Sequence, residues 1–203
     1  YYARTDADTQ ALVARYADYI RKILVLTGVA AKDLERETAL VLDLEKRIAA
    51  SARPLVELRD PKTTFAPVAT ADLGKQYRNL QLDAFLKAQG VSDDTVSMAN
   101  PAMFAQLDAL VGSLKPAQWK TYLRWRVGDA MAPHLAKPWR DAAFDFRGKI
   151  LLGQAEPAPR WQQVLDAINL AAGPMLGREY TARYLPDATR QQALAVATQV
   201  RDA

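Results

Sequence analysis

Apolar side chains recur at intervals of three and four along nearly the whole chain, the spacing that lines one face of an α-helix. Leu12, Tyr16, Tyr19, Ile20, Ile23, Leu24 and Thr27 form the first such face. Thr5 or Asp6 can cap that helix, and Gly28 suits a left-handed stop at its end. A second helix is predicted from residue 33 to about residue 52, with Leu34, Val41, Leu44 and Ile48 inward and Pro54 beyond its end. Its Glu45, followed by Lys46 and Arg47, reads as part of a solvated charged face.

The period weakens over residues 53–79. Pro61 pushes Asp60 out of helical geometry, Pro67 breaks the next run, and Thr70 caps a short turn. A helix over residues 79–89 stops at Gly90, and Thr95-Val96-Ser97-Met98 is the one plausible strand, too short to build a sheet alone. Asn100-Pro101 then starts a helix that should bury Phe104, Leu107 and Val111. Lys115-Pro116 starts another, with Trp119, Tyr122, Leu123 and Val127 on its apolar face. Pro138 opens a third, reaching Gly153 and carrying Phe144, Phe146, Ile150 and Leu151. After a proline-rich loop, Arg160-Trp161 begins a long helix with Val164, Leu165, Ile168, Leu176 and Tyr180, kinked at Gly173-Pro174. Pro186 opens the last helix. The pattern predicts an all-α fold: an irregular multi-helix domain of about eight or nine helices with at most one short strand, a single domain over residues 1–203.

Charge changes the picture little. The chain has 27 basic and 23 acidic residues, a net +4, but the signs alternate, as in Glu35-Arg36-Glu37. The densest basic spot, Arg124-Trp125-Arg126, sits in a helix beside Asp129. A basic stripe interleaved with aromatics is missing, so no nucleic-acid partner is expected. No apolar run approaches the ~18 residues of a membrane helix, so no membrane contact is expected of this segment. The start at Tyr1-Tyr2, without Met or signal peptide, reads as an excised piece of a longer chain.

Candidate chemistry is scarce. A catalytic zinc needs three protein ligands drawn mostly from His, Cys and Asp/Glu, and this chain has one histidine, His134, and no cysteine. A serine triad would need that same histidine, and a cysteine nucleophile is excluded. His134, between Pro133 and Pro138, reads as a turn residue rather than a ligand. Asp43 and Glu45 stand too close in sequence, among too many cations, to read as an acid/base pair. The tryptophans and phenylalanines read as core, and no glycine-rich phosphate loop is present. The residues therefore predict no catalytic residue, no metal ligand and no cofactor-binding residue.

A series of segments, in order, resembles the helical N-terminal region of the neprilysin family of zinc metallopeptidases, which includes the endothelin-converting enzymes and bacterial endopeptidase O. Tyr1-Tyr2 is similar to that family's R-D-Y-Y start, and Val41 to Ala49 to its V-x-x-L-E-x-x-[IL]-A stretch. Arg59-Asp60-Pro61 and the Phe65 to Thr70 run resemble its R-[DN]-P and Y-N-K-M-T loop, without the Asn and the Lys. Trp119 to Arg126 resembles [LW]-x-x-Y-L-x-W-[RH]. Phe144-Asp145-Phe146 with Leu152-Gly153 resembles F-x-F-x-x-x-L-x-G, and Leu176 to Leu185 resembles [LV]-G-x-x-Y-V-x-x-[YF]-F. A tryptophan usual before the next helix is missing, with Tyr77 or Leu80 as its replacement.

The resemblance implies a parent whose catalytic half, with H-E-x-x-H and its zinc, lies downstream of Ala203. It implies that this segment is a cap over the active site, gating peptide substrates, with that catalytic domain as partner. It also implies a bacterial parent in the periplasm or another extracytoplasmic compartment. Three other readings stay open: a freestanding helical scaffold module, the cap of a degenerate peptidase, and a dimerising domain using exposed Trp125 or Trp139. A cap fragment should in addition expose apolar surface that its missing neighbours cover.

Overall fold

The computed structural model describes residues 2, 4–54 and 56–202, so Tyr1 and Ala203, named above, lie outside the described residues. Asp6 starts α1 (Ala7–Leu26): its carboxylate accepts from the Thr9 N–H at 2.9 Å, satisfying a donor the helix itself cannot. Gly28, at φ +87°, turns the chain, and α2 (Ala31–Ser51) runs back along α1. An irregular stretch follows with a 3-10 turn (Glu57–Arg59) and the short α3 (Pro61–Thr64), capped by Asp60 in extended geometry as its following proline requires.

Two three-residue strands, β1 (Pro67–Ala69) and β2 (Thr95–Ser97), pair antiparallel with Val68 opposite Val96. The strand expected from sequence thus has a partner that Pro67 had concealed. Between them lie α4 (Thr70–Gln76) and α5 (Leu82–Ala88). The helix expected from residue 79 begins later because Gln81 adopts φ +50° and breaks it. The Asp108 carboxylate secures that turn by accepting from the N–H groups of Asn79 and Leu80 at 2.7 and 3.0 Å. Leu73, Tyr77 and Met98 form a small core here, with Tyr77 only 6% exposed.

Asn100 caps α6 (Pro101–Ser113) and Pro116 opens α7 (Pro116–Met131). A 3-10 turn (Ala132–His134) leads to α8 (Lys137–Ala143), which continues as a π-helical segment, Phe144–Leu151. The main core gathers α1, α2, α7, α8 and this segment around Tyr19, Ile20, Ile23, Leu24, Val41, Trp125 and Phe146. The chain divides into two compact units, residues 1–153 and 154–203. The second holds α9 (Arg160–Tyr184), with non-helical backbone at Ala172 two residues before Pro174, and α10 (Asp187–Asp202).

The all-α architecture stands as the pattern predicts, while several faces differ. In α7 the inward residues are Thr121, Trp125 and Gly128, whereas Leu123 and Val127 are exposed. In α6 Leu110 is buried and Val111 is not. Trp125, offered as an exposed dimerisation residue, is fully buried, and Trp139 packs half-buried against the main core. Nor are all aromatics core: Phe65, Phe85 and Trp161 are exposed.

Candidate functional site

The most elaborate polar arrangement lies inside the first unit. The Tyr19 hydroxyl donates to Asp129 at 2.6 Å, and Arg147 grips the same carboxylate through Nη2 at 2.6 and 2.8 Å. The Tyr19 ring is sandwiched: Phe146 stacks on it at 5.1 Å with a 12° interplanar angle, and Trp125 meets it edge-on at 5.4 Å. Tyr16 adds edge contact with Trp125 at 5.8 Å. Beside them the Tyr122 hydroxyl donates to Glu45 at 3.1 Å, with Arg126 3.6 Å from the same carboxylate. Glu45 is therefore an inward-leaning acceptor, its side chain 15% exposed, and not the solvated charge its neighbours suggested.

These surroundings keep the phenols neutral. Burial, and then the Asp129 carboxylate that accepts its proton, raises the Tyr19 hydroxyl well above the ordinary tyrosine range. Burial raises Tyr16 too, with Tyr2 and Glu45 adding to it. Tyr122 is pushed up to about 12 by burial and by Glu45. A neutral phenol hydrogen-bonded to a carboxylate that is itself clamped by arginine has its proton fully engaged. The network fixes α1, α7 and the π segment against one another.

His134 sits exposed in the turn between α7 and α8. Among the described residues no three His, Cys, Asp or Glu side chains gather where they could hold a metal ion. With one histidine and no cysteine in the chain, the donor set does not fit a catalytic zinc. A shallow groove of about 410 Å³ lies over α1, α8 and the π segment, lined by Val25, Leu26, Pro138 and Ala142 with Arg21, Lys22, Asp141 and Asp145. Those charges already pair, Lys22 with Asp145 at 3.5 Å, Asp141 with Lys137 at 2.6 Å and Arg21 with Glu35 at 2.7 Å.

The second unit carries the other functional candidate. Neither α9 nor α10 buries a residue. Trp161, Leu170, Met175 and Tyr180 are each more than half exposed, and Val164, Leu165 and Ile168 nearly so. Exposed apolar side chains in this number are what an interaction face would offer. The sequence pattern gives Val164, Leu165, Ile168, Leu176 and Tyr180 to α9; how exposed each one is comes from the structure.

Comparison with known proteins decides the family. The sequence model for the N-terminal part of peptidase family M13 matches residues 1–203. The chain belongs to that family. Neprilysin-3 of Drosophila melanogaster is 22% identical over 215 residues, covering 100% of this chain and 27% of its own length. Endothelin-converting enzyme-like 1 of Mus musculus is 25% identical, covering 93% of this chain and 25% of its own. The M13 chain therefore spans about a quarter of the length of these relatives. The zinc metalloprotease Zmp1 of Mycobacterium tuberculosis, in an open state, superposes with a TM-score of 0.84 at 20% identity, over 97% of this chain and 31% of that one. PepO from Lactobacillus rhamnosis gives 0.82 at 18%, over 98% and 32%. At these identities the structural likenesses establish the fold: this is the helical N-terminal region of an M13 peptidase.

Proposed function

We propose that this region is the substrate-gating helical cap of a bacterial, extracytoplasmic zinc metalloendopeptidase that acts on peptides, and that it supplies neither the catalytic residues nor the zinc ligands. One observation carries the reading. A chain matched from end to end by the N-terminal model of a peptidase family has one histidine and no cysteine, and among the described residues no three potential metal ligands gather. The residues that bind the zinc and cleave the peptide bond then belong to the catalytic domain of the same parent protein, which is this region's partner.

Gating suits such a region physically. A rigid helical body placed over a cleft excludes folded proteins and water while admitting flexible chains. The apolar side chains uncovered on α9 and α10 are what such a body needs to seat against other parts of its parent. Zmp1, which shares the fold, exists in an open state, and a cap that opens must be assembled from bodies that can separate.

The test is peptide hydrolysis by the full-length parent, with and without a zinc chelator, beside residues 1–203 alone. Chelator-sensitive cleavage of peptides by the parent, little cleavage of folded proteins, and none by the isolated region is the expected result. A folded, zinc-supplied parent that cleaves nothing would return the choice to a scaffold module or a degenerate peptidase. Cleavage by residues 1–203 alone would overturn the argument from the donor set.

A further inference from the structure

An extended π-helical run is rare in proteins, where wide turns usually come singly and often at functional sites. Here α8 has already established α-register when the backbone widens at Phe144 and stays wide to Leu151. Simple continuation of α8 is the obvious competitor, so something must hold the wider form. The contacts that can do so are specific. Phe146 stacks on Tyr19, and Arg147 holds Asp129, whose side chain is only 10% exposed. The Lys149 ammonium lies 5.5 Å over the Phe144 ring, five residues back, which is the spacing of a π turn. By contrast the Lys149–Asp145 pair, 2.9 Å and four residues apart, suits either register.

The far end of the segment is loosely held. Leu151 and Leu152 are 44% and 71% exposed, Gly148 loosens the backbone midway, and Gly153, at φ +67°, ends the run. A change of register therefore moves Phe146, Gly148 and the half-buried Ile150 against the main core, while Leu151 and Leu152 stay at the surface. We propose that Phe144–Leu151 is a two-register joint, π while Arg147 grips Asp129 and α when the grip is released, which resets where the chain leaves the first unit. Its use as a hinge of the gate rests on the cap reading; the register change itself does not.

The experiment is amide hydrogen exchange on the full-length parent without substrate, comparing residues 144–153 with residues 7–26 of α1. Replacing Arg147→Met keeps most of the side-chain stem and removes the grip. Without the grip the segment crosses between registers and opens its amide hydrogen bonds each time, so exchange over 144–153 should accelerate about tenfold or more, the scale of a lost charge-assisted hydrogen bond, while α1 is unchanged. Arg147→Lys should restore part of the protection, and Lys149→Ala, which removes the contacts to Phe144 and Asp145 but leaves the grip, should lose less of it than Arg147→Met. Unchanged exchange in Arg147→Met would overturn the proposal. So would equal acceleration in α1, which is plain loss of stability, or an equal effect of Lys149→Ala. If exchange accelerates but the parent's preference for short over long peptides does not move, the joint is not a hinge of the gate. Because exchange is read without turnover, failure of the joint is distinguishable from failure of the cap reading.

Discussion

At Gly128 an added Cβ would stand 2.9 Å from Ile23 Cγ2 and 3.3 Å from both Thr27 Cγ2 and the Trp139 ring. Two effects oppose each other in Gly128→Ala: alanine is favoured in a helix by about 1 kcal/mol, while overpacking a tight contact costs about 1–3 kcal/mol. Ile23 is β-branched and fully buried, with no room to yield, so the clash should win by about 1 kcal/mol. Thermal unfolding measures it; a stabilised variant would mean that α1 and α7 can separate slightly. The opposite sign is expected at Ala30, the exposed N-cap of α2, which has cap-like φ −67° and ψ 144° but no side-chain cap bond. Ala30→Ser should stabilise by about 1 kcal/mol, seen as a higher denaturant midpoint with unchanged slope.

Among the elements, α9 and α10 contrast with α1. α1 buries six residues and α9 and α10 none, although all three carry apolar side chains at helical spacing. Helices of this length gain most of their stability from packing one face. Residues 1–203 without the rest of the parent should therefore enhance the fluorescence of a hydrophobic dye. The pair of changes Leu165→Gln and Ile168→Gln should reduce that signal while leaving the helical signal of α1 intact. A region that binds no dye would contradict an uncovered face. The π segment belongs at this scale too: Phe146 and Arg147 tie it to α1 and α7, and Lys149 lies over its own Phe144.

The whole molecule shows its tyrosine network in alkali. Tyr16, Tyr19 and Tyr122 all titrate above the ordinary tyrosine range when folded. Above pH ~10 the unfolded chain loses phenolic protons that the folded chain keeps, so unfolding becomes easier as pH rises. Stability should be level below that point and fall through pH 10–12, more gently in Tyr19→Phe, which starts less stable by about 1–2 kcal/mol for the lost hydrogen bond. In acid the sign reverses. Lys149 holds Asp145, and Arg21 holds Glu35, below the ordinary carboxylate range. Their small, solvent-screened contribution is present above pH ~4 and lost as pH falls through the lowered values. Equilibrium unfolding across both ranges checks both slopes.

Local rules carried far because caps are local. Asp6, Asn100, Pro116 and Gly28 act on backbone within a few residues, so their roles could be read directly from their neighbours. What the sequence could not rank was which apolar residue of a helix faces inward. On α7, Trp125 is buried and Val127 is exposed because α1 and α2 approach from particular sides. Glu45 turns inward because Tyr122, 77 residues away, donates to it. The β1 partner of β2, the wide register at Phe144 and the uncovered faces of α9 and α10 likewise depend on contacts distant in sequence, or on their absence. The sequence by itself determined the helical class and most of the helix starts. Tertiary structure alone decided the faces, because burial is a property of neighbours and a linear pattern does not name them.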